Sequence, residues 1–267
     1  MRIVRYLNSS HEPEYGSQQS DGSVRRIEGE IFGEFSVTDE TVVPRKLLAP
    51  IQPTAFLCIG INYRLHVQET GAKLPEFPVL FMKSTTALNH PGDPILLPRY
   101  LRSNEVDFEG ELAVVIGKNG KNISRAKALD HVLGYTIGND VSARDWQKKF
   151  GGGQFCRGKT FDTFAPLGPA LVTKEEIPDP NQLNLRTLLN GEVMQDSNTR
   201  NMIFDIPALI EFLSGSTTLM AGTVILTGTP SGVGMARDPQ VWLKPGDEIA
   251  IEIDGIGRLS NPVVEEA

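Results

Sequence analysis

The sequence predicts an α+β fold that is mostly β. Short apolar β-former runs recur along the whole chain, and few stretches carry helical spacing. Two pairs of runs are joined by Asn190-Gly191 and Asp254-Gly255, dipeptides that suit hairpin turns. At 267 residues the chain suits one large domain or a main domain with a small appendage.

Residues 1–50 read as a small β-rich N-terminal unit, and residues 51–267 as the main domain. Ile3–Leu7 is a short strand candidate, Val24–Ile27 and Glu30–Phe35 alternate weakly, and Ser9–Ser23 is polar and turn-rich. The prolines between Pro44 and Pro53 mark a linker. Strands are then expected at Ala55–Ile61, Val79–Met82, Ile95–Leu97, Leu112–Ile116, Tyr135–Asn139, Pro166–Val172 and Thr223–Leu226. Ser124 is a candidate N-cap for a helix through Val132, with Gly134 beyond its end. Ser142 reads as the cap of a short helix, and Asp205 as the cap of a helix through Ser214 with Pro207 in its first turn. Leu183–Leu189 with Glu192–Gln195 forms the clearest hairpin, and Glu248–Ile253 with Ile256–Leu259 a second.

Hydrophobic residues make up 40% of the chain and charged residues 22%, a balance that can bury a sizeable core. The formal net charge of -7 argues against a nucleic-acid or anionic-membrane surface. An anionic substrate then needs local positive charge, from a metal or a few Lys/Arg. The only cysteines, Cys58 and Cys156, are too few for a disulfide framework and suit a reducing cytosol. The N-terminus turns polar at Asn8, so a signal peptide is not expected, and no apolar run approaches the ~20 residues that span a bilayer. A cytoplasmic protein is the expectation.

The chemistry centres on Asp107-Phe108-Glu109-Gly110-Glu111 and the apolar run that follows. In a strand, Glu109 and Glu111 share a face. Two carboxylates held side by side repel, so one protonates or a cation lies between them; the simplest such cation is a hard divalent metal. The same pair could be two solvated glutamates at a strand entrance. His66 and Glu69 share a face of a helical turn, where the carboxylate orients the imidazole and raises its basicity; a surface ion pair gives the same spacing. His90 has no acidic neighbour in step and reads as structural. Asp140 ends a strand, and Arg144 and Gln147 follow on one helical face, where Arg144 could also simply pair with Asp140 or Asp145. The glycines of Thr227-Gly228-Thr229-Pro230-Ser231-Gly232-Val233-Gly234 let backbone N–H groups approach a ligand, or form only a strand exit.

In order and spacing, these parts resemble the fumarylacetoacetate hydrolase family over about residues 55–260. The matching motifs are Gly60-Ile61-Asn62-Tyr63 with His66 and Glu69; Asp107 to Gly117; Gly138 to Gln147; Gly158-Lys159-Thr160-Phe161-Asp162-Thr163; and Leu226 to Gly234. The resemblance implies a mixed β-sandwich roll and a homodimer. It implies Mg²⁺ or Mn²⁺ on Glu109, Glu111 and Asp140, water activated by His66 with Glu69, and Lys159 and Gln147 holding substrate. Arg144 would support them and Thr229 would lie at the loop floor. The larger member that names the family has a fourth carboxylate ligand with no counterpart placed here. Residues 1–50 lie outside the resemblance.

The expected activity is hydrolysis of a C–C bond in a small anionic 2-oxo acid or 1,3-diketone of the acylpyruvate or fumarylpyruvate type. The alternative is an isomerase or decarboxylase of a 2-hydroxy-dienedioate from aromatic breakdown, using the same metal. A third reading is a non-catalytic 2-oxo-acid-binding protein. The His66–Glu69 dyad weighs toward hydrolysis or decarboxylation rather than simple tautomerisation.

Overall fold

The computed structural model describes residues 1–267. Its frame is a twelve-stranded mixed sheet. The main path runs Phe35–Val42, Val24–Gly29, Pro13–Gln18, Arg2–Leu7, Ala165–Thr173, Val132–Asn139, Gly110–Ile116, Thr223–Leu226, Ala55–Gly60 and Val79–Lys83. All neighbours on this path are antiparallel except Thr223–Leu226 and Ala55–Gly60, which run parallel. A five-stranded sheet lies against it, in the order Glu192–Asn198, Asn184–Leu189, Glu248–Ile253, Gly257–Glu265 and Ile95–Leu97.

Gly110–Ile116 is buried along its whole length because both of its faces are covered. Leu112, Val114 and Ile116 enter one core with Leu185, Ile251 and Leu259 of the second sheet and Leu209 and Leu213 of the Ile206–Ser214 helix. Ala113 and Val115 enter the opposite core with Phe56, Leu167 and Val224. A strand covered twice needs apolar side chains at successive positions, hence the unbroken run. Asp205 caps the helix by accepting from Ala208 N at 3.0 Å. Asn190 and Gly191 both take positive φ, 52° and 84°, as a type I′ hairpin turn requires.

The N-terminal unit is β-rich, but its sheet is continuous with the main one. Ile3 pairs with Leu171 on Ala165–Thr173. Pro13–Gln18 is a strand inside the stretch expected to be turn-rich, and Glu30–Phe35 is largely the turn before the Phe35–Val42 strand. Polar side chains on these half-exposed strands hide the period of two; pairing with Arg2–Leu7 sets Pro13–Gln18.

Two helix expectations are corrected. The segment after Ser124 winds as 3₁₀ turns over Arg125–His131, and Val132 already begins a strand. Gly134 is no helix cap: it lies within that strand, where a Cβ would meet Val172 O at 2.3 Å. Ser142–Ala143 pairs with Val106–Asp107 instead of capping a helix; Asp145 caps the turn that follows, a π turn over Trp146–Phe150.

The fully buried Asn62 ties together the chain segments beside the site. Its amide nitrogen donates to Thr227 O at 2.7 Å and Phe204 O at 3.0 Å, and its amide oxygen accepts from Phe204 N at 2.9 Å. Asn62→Ala is expected to lower the unfolding free energy by about 2–4 kcal/mol, measured by chemical denaturation, because it leaves buried groups unpaired; a loss under about 0.5 kcal/mol would contradict this role.

Candidate active site

Glu109, Glu111 and Asp140 come together although Asp140 lies on a different strand exit. One carboxylate oxygen from each lies within 4.8 Å of the others, and all three residues are buried. Asp140 N donates to Glu109 O at 2.9 Å, which locks the two segments side by side. Glu109 directly precedes the Gly110–Ile116 strand, so the two glutamates flank its first residue.

Three buried cations serve this cluster. Lys159 Nζ donates to Glu109 Oε2 at 2.7 Å and Asp140 Oδ2 at 2.6 Å. Lys83 Nζ donates to Asp140 Oδ1 at 2.5 Å and to Val141 O at 3.0 Å. Arg144 Nε donates to Asp107 Oδ2 at 2.9 Å. Its Nη2 sits 2.6 Å from Glu109 Oε1, an ion pair by distance whose N–H direction is not aligned. Arg144 therefore pairs with Asp107 and Glu109, not with Asp140 or Asp145; Asp145 accepts from Ser103 Oγ and Asn104 N.

The charges do not balance. Asp107, Glu109, Glu111 and Asp140 are four buried carboxylates against the three buried cations Lys83, Arg144 and Lys159. Burial alone would raise the Glu109 carboxyl, but Arg144 and Lys159 hold it well below the usual range. Burial also works against the Lys159 ammonium, yet Asp140 and Glu109 outweigh it and raise its pKa. Glu111 has no cation of its own. Burial, and then the charges of Asp140 and Glu109, push it well above the usual carboxylate range.

The glycine loop turns its N–H groups on these carboxylates. Gly228 N donates to Glu111 Oε2 at 2.7 Å, Gly232 N to Glu69 Oε2 at 2.9 Å and Gly234 N to Asp107 Oδ1 at 2.7 Å. The loop approaches the protein's own acids, not an external ligand. Gly232 has φ +104° and a Cβ there would sit 2.1 Å from Met194 O, so glycine is required. Thr229 Oγ1 donates to Gly110 O at 3.0 Å and accepts from Gln195 Nε2 at 2.7 Å.

His66 and Glu69 lie on the Arg64–Thr70 helix, with His66 Nδ1 2.7 Å from Glu69 Oε1. A carboxylate there favours the proton on Nδ1 and leaves Nε2 as the accepting nitrogen. His90 is structural: its Nδ1 accepts from Ala49 N at 3.1 Å.

A cavity of about 160 Å³ opens beside the cluster. That is several times the ~30 Å³ that one water occupies. His66, Glu109, Arg144, Gln147, Lys159 and Thr229 all line it, while Glu69, Glu111 and Asp140 stand behind. Gln147 Oε1 accepts from Arg144 Nη1 at 3.0 Å, so the guanidinium fixes the orientation of its amide. Sequence reasoning gave no role to Lys83 or Asp107. Asp107 stood inside the quoted motif; Lys83 follows an unremarkable strand and has no local signal.

The residues fit a divalent cation. Oxygen contacts of ~2.0–2.6 Å allow ligand atoms up to about 5 Å apart, which the three carboxylates satisfy. The donor set is all oxygen, as hard cations prefer. Two added positive charges would turn the excess of one negative charge into one positive, favourable for an anionic substrate.

A mostly β scaffold with a buried acid cluster opening to a small cavity defines an enzyme class, and the comparisons specify it. A family model described as "Fumarylacetoacetate (FAA) hydrolase C-terminal" matches residues 55–264, and one described as "Rv2993c-like, N-terminal" matches residues 1–50. The chain belongs to the fumarylacetoacetate hydrolase family of enzymes. It is 53% identical over 219 residues to the mitochondrial oxaloacetate tautomerase fahd2 of Xenopus laevis, covering 82% of this chain and 68% of that protein. It is 49% identical over 231 residues to the mitochondrial oxaloacetate tautomerase FAHD2A of Bos taurus, covering 85% and 73%. Among solved structures, 5-carboxymethyl-2-hydroxymuconate delta-isomerase from Mycobacterium smegmatis superposes with TM-score 0.87 at 42% identity over the whole of both chains. The 2-hydroxyhepta-2,4-diene-1,7-dioate isomerase from Mycobacterium marinum gives TM-score 0.85 at 41% identity, covering 100% of this chain and 99% of that one. No helix is long and apolar enough to cross a membrane.

Lys83→Met is expected to destabilise the protein by about 3–5 kcal/mol in denaturant titration, because Asp140 loses a fully buried partner. A change below about 1 kcal/mol would mean that Lys83 contributes little to holding the cluster.

Proposed function

We propose that this enzyme is a divalent-metal-dependent isomerase that interconverts the keto and enol forms of a short 2-oxo dicarboxylate. One observation carries the reading: a Glu69-held imidazole borders the same small cavity as Glu109, the cavity-lining member of an acid cluster able to hold one hard cation. The relatives' activities support it, since tautomerase and dienedioate isomerase both name a proton relocated along a conjugated oxo acid.

Mg²⁺ or Mn²⁺ on Glu109, Glu111 and Asp140 would supply a Lewis acid that polarises the 2-oxo group and so acidifies the neighbouring C–H. His66 Nε2 accepts the proton from C3, and Glu69 stabilises the imidazolium that results. The same imidazolium then returns a proton at the 2-oxygen to give the enol, and the reverse sequence gives the keto form. Lys159, whose ammonium Asp140 and Glu109 favour, lines the cavity and would stabilise the negative charge that grows there. Gln147 orients the substrate with the amide that Arg144 fixes. Thr229 shapes the floor, its hydroxyl being committed to Gly110 and Gln195.

A base that removes a carbon-bound proton serves tautomerisation as well as it serves water activation. The dyad therefore does not weigh against a tautomerase, contrary to the sequence-based expectation. C–C hydrolysis of an acylpyruvate is the second reading, favoured by the family's own description; it uses the same His66 on water. The proposal includes a homodimer. Leu80 and Met82, exposed on the Val79–Lys83 strand that ends the sheet path, give such a pairing an apolar edge.

With oxaloacetate in D₂O and Mn²⁺, NMR is expected to show rapid deuterium entry at C3, with His66→Ala slowing it about 10²–10⁴-fold. Turnover by that variant within a few-fold of wild type would rule out the imidazole as base. Appearance of cleavage products from an acylpyruvate, with no accelerated exchange, would favour the hydrolase. Glu109→Gln and Asp140→Asn should each abolish the rise in melting midpoint caused by Mg²⁺ or Mn²⁺. An unchanged metal response in both would remove the ligand assignment.

A further inference from the structure

A dicarboxylate presents a second anion that the acid cluster cannot welcome. The nitrogen bases lining the cavity are His66, Arg144, Lys148 and Lys159. Arg144 is held by Asp107 and Glu109, Lys159 by Glu109 and Asp140, and His66 by Glu69. Lys148 differs: it enters no ion pair, whereas its neighbour Lys149 is paired with Glu105. Lys148 is exposed at the cavity mouth, immediately after Gln147 on the π turn. The Gln147–Arg144 hydrogen bond holds the neighbouring side chain, and the Lys148 ammonium, on the cavity lining and without a carboxylate partner, is left to meet a ligand. Its position also brings it within range of the cluster's charges. Partial screening from water at the cavity rim lowers its ammonium most, Arg144 lowers it further, and Asp107 and Glu109 oppose them.

Resting on the isomerase reading, we propose that Lys148 receives the distal carboxylate of the substrate and so selects dicarboxylic over monocarboxylic 2-oxo acids. The 2-oxo end of the substrate would lie toward Glu109 and Lys159, with the far carboxylate toward the mouth. The lining cations deeper in the cavity already have carboxylate partners. An ammonium on a flexible stem at the rim suits an anion whose distance from the reacting carbon varies with chain length.

The test uses the full chain with Mn²⁺ and follows C3 proton–deuterium exchange of oxaloacetate and of the monocarboxylate 2-oxobutanoate. In Lys148→Met the kcat/KM ratio of dicarboxylate to monocarboxylate should fall about tenfold or more, through KM, because a remote charge contact acts mainly on binding. Lys148→Arg should keep most of the preference, and added salt should shrink it in the wild type. Lys148 is exposed, so an unchanged melting midpoint in both variants will exclude a folding effect. A ratio within about twofold of wild type in Lys148→Met overturns the inference, as does an equal loss on both substrates. If the wild type exchanges neither substrate, the isomerase reading falls and binding decides: calorimetric Kd values whose ratio is unchanged by Lys148→Met would then overturn the role of Lys148.

Discussion

Four carboxylates and three cations packed out of water around Glu109 are the constraint on which the rest of the structure depends. Each charge removed from water carries a desolvation cost that only close, well-directed partners offset. The chain supplies them from distant segments: Lys83 from an edge strand, Arg144 from a strand exit, Lys159 from a short helix. Backbone N–H groups of the glycine loop complete the set. One carboxylate, Glu111, is left with a single N–H donor and no cation. A proton on Glu111 or a cation shared with it would remove that deficit, and a divalent cation would reverse it.

The apolar frame makes this possible. Gly110–Ile116 is clamped between two cores, so the position of Glu109 and Glu111 follows from packing and not from a mobile loop. Asn62 holds the Ile203–Phe204 and Thr227 segments at the strand exit that leads to the His66 helix. Glu69 links that helix to the Gly232 turn, so the imidazole and the acid cluster are placed by one connected framework. The proposed function rests on two adjacent features: an imidazole whose Nε2 is left to accept, and a charge-rich wall able to stabilise an anion formed next to it.

Much of this could be read from residue order. The continuous run Leu112–Ile116 announced a buried strand, and Asn190-Gly191 and Asp205 announced a hairpin and a helix start. The Glu109/Glu111 pair and the His66/Glu69 spacing were legible because strand and helix periods are local properties. What lay beyond reach depended on long-range pairing. Gly134 looks like a helix end until Val172 is seen to press against it. Pro13–Gln18 is a strand because Arg2–Leu7 is its neighbour, not because of its own side chains. Lys83 lies 57 residues from Asp140, and nothing in the strand around it signals a partner there. The join of the N-terminal unit to the main sheet, through Ile3 and Leu171, is likewise invisible without the fold.

The most direct test of the account is anomalous diffraction from a crystal soaked in Mn²⁺. One strong peak is expected, with oxygen contacts of ~2.0–2.6 Å to Glu109, Glu111 and Asp140 together. Lys159 should then have moved off at least one of its two carboxylate partners. A crystal saturated with Mn²⁺ that shows no peak among these three residues, with Lys159 still bridging Glu109 and Asp140, would contradict it.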